Sequence, residues 1–207
     1  MADLSDSYTW KVLVLGDPAT GKTSIIKRYV HNFFSDHHKT TVGVDFALKA
    51  LNVNGTEVKM QLWDIAGQDR FGVIARTYYK DSYGALIVYD ASRPPTFDTV
   101  EKWKREIDDK VKLPDGSNIP IVLLANKCDL DKAEVDKSYL DQFCQEHGFI
   151  GWFDTSARLN INIEQACRFL VDNLLEKRDL LNPPAKRGDT FTPGQAGGKA
   201  SSGGSCC

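Results

Sequence analysis

The sequence predicts an α/β fold: a mostly parallel sheet covered by helices on both faces, with one antiparallel pair of strands at an edge. Strand-like and helix-like stretches alternate along the chain, which is the pattern of βαβ units. The runs at residues 12–15, 85–89 and 121–124 are almost continuously apolar, as expected of strands buried on both faces. Asn54-Gly55, between two alternating stretches, indicates a tight hairpin and therefore the antiparallel pair.

The first half of the chain supplies the edge of this sheet and one helix. Residues 12–15 are predicted to form a buried strand that ends at Gly16, and a helical pattern starts at Thr20. Residues 44–53 and 57–63 alternate between polar and apolar side chains, which predicts the two strands of the hairpin.

The second half alternates helices with short strands. Three helices are predicted there, over residues 96–111, 137–147 and 163–181. A short strand is expected at residues 150–153. The last helix is predicted to stop before Pro183, because a proline disfavours the helical conformation in the residue that precedes it.

The composition fits one globular domain with an appendage. The chain has 207 residues, of which 42% are hydrophobic, and 26 Lys and Arg oppose 28 Asp and Glu for a net charge of −2. That charge does not favour nucleic acid as a partner, and no apolar run is long enough to predict a membrane span. Glycine and proline dominate from residue 182 onward. We expect an N-terminal extension at 1–7, a domain at 8–181 and a flexible tail at 182–207.

The residues with the clearest chemistry are 16–23 (GDPATGKT), which fit the spacing G-x-x-x-x-G-K-[ST]. Glycines at this spacing let backbone N–H groups surround an anion, and the helix that follows directs its positive end toward it. The residues of this loop predicted to bind phosphates are Gly16, Ala19, Thr20, Gly21 and Lys22. The Thr23 hydroxyl is predicted to ligate Mg²⁺. A glycine-rich turn without a ligand would not explain its place between a strand and a helix.

A second pattern, NKCD at residues 126–129, predicts which base is bound. The Asp129 carboxylate can accept hydrogen bonds from N1–H and the N2 amine of guanine, whereas adenine has no donors there. A mismatch of that kind discriminates by about 10⁴–10⁵. The backbone of residues 155–157 (TSA) is a candidate donor to guanine O6. The predicted guanine-binding residues are Asn126, Lys127, Asp129, Ser156 and Ala157. Taken alone, each pattern is also compatible with a polar turn after a strand.

A third pattern, at residues 63–68 (WDIAGQ), predicts the metal and the water. A carboxylate such as Asp64, at the end of a strand beside a phosphate loop, is where Mg²⁺ is held, often through water. The Gly67 N–H is predicted to contact the γ-phosphate, and Gln68 to be the catalytic residue that orients the attacking water. Without the other motifs, Gln68 would be interpreted as a solvated loop residue.

These motifs together resemble the Ras superfamily of small GTPases and, within it, the Rab family, over residues 8–181. The Rab-like segments are VGVDF at 42–46, KMQLWD at 59–64, DRFG at 69–72 and YYK at 78–80. Finer details are similar to the Rab subgroup of melanosomes and other lysosome-related organelles: VDFALK at 44–49, Ile65 within DIAGQ, and GWFDTSA at 151–157. The resemblance implies a P-loop NTPase G domain with six strands, five helices and two switch segments.

The resemblance also implies an activity and its site residues. It implies a GTPase that is slow without an activating protein, uses GTP and Mg²⁺, and recruits effectors to membranes in vesicle trafficking. Thr41 matches the switch residue that ligates Mg²⁺, and Phe34 matches the aromatic that lies against guanine. Phe46, Trp63 and Tyr78 match the aromatic triad that effectors contact, for which ordinary core packing is the alternative.

The partners implied are an exchange factor, an activating protein, a GDP-dissociation inhibitor and effectors that bind the switch regions. We expect a monomer on the cytoplasmic face of intracellular membranes, cycling with the cytosol. Cys206-Cys207 resembles the Rab signal for two geranylgeranyl groups, and two lipid chains anchor stably where one anchors marginally. A pair of unmodified thiols is the alternative.

Four positions depart from the family pattern. Pro18 and Ala19 replace small, glycine-type residues of the phosphate loop, and Pro18 has no N–H to offer a phosphate. His38 stands where tyrosine is common, and Asp69 where glutamate follows the glutamine. Two other functions therefore stay open: a GTP-binding scaffold with negligible hydrolysis, and an ATP-using P-loop enzyme such as a small kinase. The NKCD pattern argues against the second.

Overall fold

The computed structural model describes residues 7–37, 40–67, 78–130 and 136–181. Its strands are β1 (Ser7–Leu15), β2 (Val44–Val53), β3 (Thr56–Ile65), β4 (Gly84–Asp90), β5 (Ile121–Asn126) and β6 (Gly151–Thr155). Its helices are α1 (Lys22–His31), α2 (Val100–Lys110), α3 (Lys137–His147), α4 (Ile163–Glu176) and α5 (Arg178–Leu181).

The strands form one six-stranded sheet in the order β2-β3-β1-β4-β5-β6. Only β2 runs antiparallel to its neighbour, β3, and the other pairs are parallel. The predicted α/β fold with one antiparallel edge pair is therefore confirmed. Because β1 lies between β3 and β4, the connections on either side of it diverge and leave a crevice at the carboxyl ends of the strands.

The hairpin that makes the antiparallel pair has the predicted turn. Asn54 and Gly55 both have left-handed backbones, with φ of 53° and 88°, which is the conformation of a tight two-residue hairpin. The turn fixes a register in which Phe46 lies opposite Trp63 and Asp45 lies opposite Asp64. This register places Phe46 and Trp63 of the predicted effector triad side by side, next to Asp64, a predicted metal ligand.

We expect Gly55→Ala to destabilise the protein by about 1 kcal/mol, since a side chain at positive φ is strained while glycine is not. A Cβ at this position would meet no other atom within 4 Å, so the effect isolates backbone conformation from packing. Urea unfolding followed by circular dichroism measures the change. An unchanged midpoint would contradict the importance of this turn.

Three boundaries differ most from those predicted. β1 begins at Ser7, five residues before the predicted strand, because its first half pairs with β3. The helix predicted from residue 96 begins at Val100, since residues 94–96 form a 3₁₀ turn that two prolines start. The last predicted helix is interrupted at Lys177, whose N–H bonds to Leu174 O at 3.2 Å instead of continuing the helical ladder.

The core lies on both faces of the sheet. Every residue of β4 and of β5 is buried, which explains the uninterrupted apolar runs of these strands. The thiols of Cys144 and Cys167 are buried among this core. Across the described parts of the chain, no helix has the length and apolar character needed to cross a membrane.

Candidate nucleotide site

The glycine loop, residues 16–23, connects β1 to α1 and shapes an anion site. Gly21 precedes the helix with φ of 98°, and no side chain caps the helix N-terminus. The first amides of a helix have no acceptor within it, so they present donors and a positive dipole end. A Cβ on Gly16 would lie 2.0 Å from Val88 O, and one on Gly21 would lie 2.3 Å from Asn126 Nδ2. Strands β4 and β5 therefore require both glycines.

Lys22, at the first turn of α1, is buried and closes the loop on itself. Its Nζ donates to Gly16 O at 2.9 Å and to Asp17 O at 3.0 Å. Burial lowers the pKa of this ammonium to about 8, with the charge of Asp64 acting in the opposite direction. A phosphate beside Lys22 would restore the charge that burial disfavours.

The two unusual residues of the loop adopt a constrained conformation. Ala19 has φ of 61°, which costs a residue with a side chain about 1–2 kcal/mol. The amide and hydroxyl of Thr20 both donate to Asp17 O, at 3.4 and 3.0 Å, so the Thr20 amide already has an acceptor within the loop. Gly67 packs tightly here, since a Cβ on it would lie 2.5 Å from Pro18 N.

Three oxygen-bearing side chains meet beside the loop. Thr23 Oγ1 lies 2.8 Å from Thr41 Oγ1 and donates to Asp64 Oδ2. Thr41 Oγ1 lies 3.4 Å from the same carboxylate oxygen. The predicted metal ligands thus converge from α1, from the segment before β2 and from β3.

The chemistry of this cluster fits a hard divalent cation. Burial raises the pKa of Asp64, and the hydrogen bond from Thr23 and the charge of Lys22 oppose that shift. Asp64 Oδ1 is buried with no hydrogen-bond partner in the described structure, so a metal ion or its water would satisfy it. No set of three or more His, Cys, Asp or Glu in the described segments could hold a metal by itself. That suits Mg²⁺, which combines few carboxylates with phosphate oxygens and water.

A cavity of about 250 Å³ lies next to the glycine loop, at the ends of β5 and β6. Asp129 lines this cavity and accepts a hydrogen bond from Ser156 Oγ at 2.6 Å. The Ser156 amide donates to Ile161 O at 3.2 Å. The Ser156 amide thus already has an acceptor, and its hydroxyl orients the carboxylate. Ala157 lines the cavity, and the binding of guanine by this segment stays a prediction.

The first two residues of the NKCD pattern support the loop. Asn126 is buried, and its Nδ2 donates to Thr20 O at 2.8 Å. Lys127 Nζ donates to Ala19 O at 2.9 Å. Both residues line the cavity, and their polar groups join the glycine loop to the segment that carries Asp129.

Arg28 is a site residue that the sequence did not reveal. Its Nε donates to Ala157 O at 2.8 Å and its Nη2 to Arg158 O at 3.1 Å. Its guanidinium lies 6.0 Å from the ring of Phe34, which is half-buried and lines the same cavity. A lone arginine in an amphipathic helix carries no sequence signal, so only the fold shows this contact.

The three predicted effector residues form an aromatic cluster beside the predicted metal ligands, with Trp63 and Tyr78 partly buried against the core. The Phe46 and Trp63 rings stack at 5.8 Å, and Trp63 and Tyr78 lie 6.0 Å apart. The Phe46 side chain is 65% exposed, which excludes core packing for it. Lys11 Nζ lies 4.1 Å above the Trp63 ring and supports it from behind.

The remaining predicted residues lie outside the described part of the chain. They are Gln68, His38, Asp69, Cys206 and Cys207.

The cavity beside Asp129 adjoins a second cavity of about 250 Å³. This second cavity is lined by Lys22, Thr23, Thr41 and Gly67. The two share Ala19, Gly21 and Ser24. The cleft thus has an end with a carboxylate for a base and an end with amides and metal ligands for phosphates. The fold and the cleft describe a nucleotide-binding protein of the P-loop class.

Comparison with known proteins gives the family. The model of the Ras family matches residues 11–176. The chain is 60% identical over 170 residues to Ras-related protein Rab-32 of Homo sapiens, covering 81% of this chain and 76% of that protein. It is 53% identical over 209 residues to Rab-32A of Dictyostelium discoideum (98% and 94%). It is 46% identical over 172 residues to human Rab-7L1 (83% and 85%). The chain therefore belongs to the Ras family as a Rab GTPase, an enzyme of membrane trafficking that hydrolyses GTP.

Proposed function

We propose that this Rab GTPase is a switch that binds GTP in the described cleft and recruits effectors to the membranes of lysosome-related organelles. The observation that carries the proposal is that one hairpin holds both Asp64, a predicted metal ligand, and the aromatic pair of Phe46 and Trp63, of which Phe46 is exposed. Asp64 follows Trp63 in β3, and β2 places Phe46 opposite Trp63. The predicted metal ligand is therefore adjacent in sequence to a residue of the surface that effectors contact, so a change in metal coordination can reach that surface.

We propose the following roles for the residues of the cleft. Backbone amides of the glycine loop and the Lys22 ammonium bind the phosphates, and the Gly67 N–H donates to the γ-phosphate. Thr23, Thr41 and Asp64 hold Mg²⁺, which supplies positive charge to the phosphate oxygens when bound. Asp129 accepts from guanine, while Phe34 covers the base.

The switch follows from the position of Thr41. This residue belongs to the segment before β2 and touches the metal ligands through its hydroxyl. With GTP bound, the γ-phosphate gives Thr41 and Gly67 contacts that order both segments. After hydrolysis these contacts are lost and the segments relax. A partner that binds only the ordered surface thus distinguishes GTP from GDP.

Hydrolysis is proposed to be slow without an activating protein. Gln68 orients the water, but two arginines near the cleft are already engaged: Arg28 by the carbonyls of residues 157 and 158, and Arg93 by Asp90 and Pro18 O. An arginine supplied by a partner accelerates such reactions by about 10³–10⁵.

Single-turnover GTP hydrolysis tests this proposal against a scaffold without hydrolysis. The native protein and Gln68→Leu are compared with and without an activating protein. We expect the activator to accelerate only the native protein. A native protein as slow as the variant under both conditions would favour the scaffold, and ATP that displaces bound GDP would favour an ATP-using enzyme.

Effector recruitment is tested by capture from cell extract with GTP-loaded and GDP-loaded protein. We expect proteins retained only by the GTP form, and their loss with Phe46→Ala. The same partners on both forms would contradict the switch.

Membrane attachment is proposed through prenyl groups on Cys206 and Cys207. Mass spectrometry of the C-terminal peptide from native cells should show two prenyl groups, and changing both cysteines to serine should release the protein from membranes. A peptide without prenyl mass would refute the attachment. Imaging of the tagged native protein tests the organelle.

Chelation of Mg²⁺ is expected to accelerate GDP release at least about tenfold, because the cation links phosphate oxygens to Thr23 and Asp64. Thr23→Ala should release GDP quickly whether or not EDTA is present. Release of a fluorescent GDP analogue measures both rates.

The matched control is Thr40→Ala, since Thr40 lines the same cavity without joining the hydroxyl–carboxylate cluster. It should keep the response to EDTA. Native protein that releases GDP equally fast with and without EDTA would contradict the metal site.

A further inference from the structure

We propose that Arg93, through the Pro18 carbonyl, and Trp103, through the Asp17 carboxylate, clamp the glycine loop and thereby set how long the nucleotide stays bound. This inference rests on the proposed function, since it assumes that the loop binds phosphates. Neither residue belongs to a motif of the sequence, and both reach the loop from elements distant along the chain.

The contacts fall on two consecutive residues of the loop. Trp103 Nε1, on α2, donates to Asp17 Oδ1 at 2.9 Å. Arg93 Nη2, in the connection after β4, donates to Pro18 O at 3.2 Å. The Trp103 side chain is buried, so the position of its N–H is fixed by packing and not by solvent.

A buried carboxylate connects this clamp to the NKCD segment. Asp90, at the end of β4, is 1% exposed. Its Oδ2 accepts from Arg93 Nε at 2.8 Å and from Lys127 Nζ at 2.7 Å. Ser92 Oγ occupies its other oxygen at 2.6 Å. Arg93 and Lys127 are thus held by the same carboxylate, and each donates to a backbone carbonyl of the loop.

The clamp suits the unusual sequence of this loop. Pro18 offers no N–H, and Ala19 holds the left-handed conformation that glycine would adopt without strain. Hydrogen bonds to the Pro18 carbonyl and the Asp17 carboxylate restrain the loop and keep its remaining amides directed into the cleft. Hydrogen bonds from outside the loop therefore restrain the loop backbone, in place of the restraint that Pro18 and Ala19 do not provide.

The test measures GDP release from the full-length, Mg²⁺-loaded protein for Arg93→Met and Trp103→Phe. Each variant keeps most of the apolar side chain and removes the donor. We expect each to release GDP about five- to tenfold faster, as for the loss of one hydrogen bond near a charged group. Arg93→Lys should recover part of the loss, because an amine still pairs with Asp90.

Two matched controls make the same chemical change elsewhere. Trp152→Phe removes an indole N–H that donates to Asp141 Oδ1 at 2.7 Å, and Arg168→Met removes an ion pair with Asp172 at 2.9 Å. Both lie away from the loop and should leave GDP release unchanged.

Competition by GMP separates a clamp on the phosphate loop from general destabilisation. GMP lacks the β-phosphate, so the clamp variants should lose affinity for GDP and keep that for GMP. Equal losses for both nucleotides, or unchanged GDP release, would overturn the proposal, even if the thermal midpoint falls. A native protein that binds neither nucleotide would instead refute the proposed function.

Discussion

Asp129→Asn is expected to weaken GDP binding by about 10³-fold and to let xanthosine diphosphate bind in its place. In the proposed complex the carboxylate would accept from two donors of guanine, and each hydrogen bond to a charged group is worth about 1.5–3 kcal/mol. The asparagine amide would direct an N–H₂ group at the guanine N2 amine, leaving two donors opposed. Xanthine has a carbonyl at that position, so the new amide can donate to it.

The side chain that orients Asp129 provides the control. Ser156→Ala removes a hydroxyl that donates to the carboxylate at 2.6 Å and leaves the carboxylate itself. We expect a loss of about tenfold or less for GDP and no gain for the xanthine nucleotide. Displacement of a fluorescent GDP analogue by each unlabelled nucleotide measures both preferences. If Asp129→Asn kept the native preference, the base would not bind in the cavity that this residue lines.

Lys22→Met is expected to weaken GTP and GDP binding by about 10²–10⁴-fold. The change removes a positive charge next to the phosphates and also the donor to Gly16 O and Asp17 O. Gly16 O is buried and would lose this donor, which costs about 1–3 kcal/mol, whereas Asp17 O keeps the amide and hydroxyl of Thr20 as donors. The loop would therefore lose both its attraction for the anion and part of its own closure.

Fluorescence titration with a GDP analogue measures that loss, and urea unfolding reports whether the fold survives. Lys102→Met serves as the control, because it removes the same charge from an exposed position on α2. We expect native affinity for this control. Native affinity for Lys22→Met would instead show that the ammonium does not contribute to phosphate binding.

The hairpin explains how a small chemical event can reach a protein surface. A register shift of one residue would turn each side chain of β2 to the opposite face. The turn at Asn54 and Gly55 prevents this shift and keeps Phe46 opposite Trp63. The Phe46–Trp63 pair and the Asp64 carboxylate consequently share one hairpin, while the segment that holds Thr41 carries the proposed switch.

The sequence predicted the parts of the site that depend on local spacing. The glycine loop, the carboxylate near the end of β3 and the NKCD segment each lie within a few residues of a strand end. Parallel strands bring their ends to one edge, so the predicted residues meet there. The alternation of apolar runs was enough to predict the α/β class, because buried parallel strands and amphipathic helices have different periods.

The tertiary structure decided the contacts between distant segments. Arg93 and Pro18 are 75 residues apart, and Trp103 and Asp17 are 86 apart. Their contacts depend on the order of strands in the sheet, which no local pattern specifies. The same holds for Ser156, whose hydroxyl donates to Asp129, 27 residues away. Local spacing thus determined which chemistry the chain carries, and packing determined which side chains hold that chemistry in place.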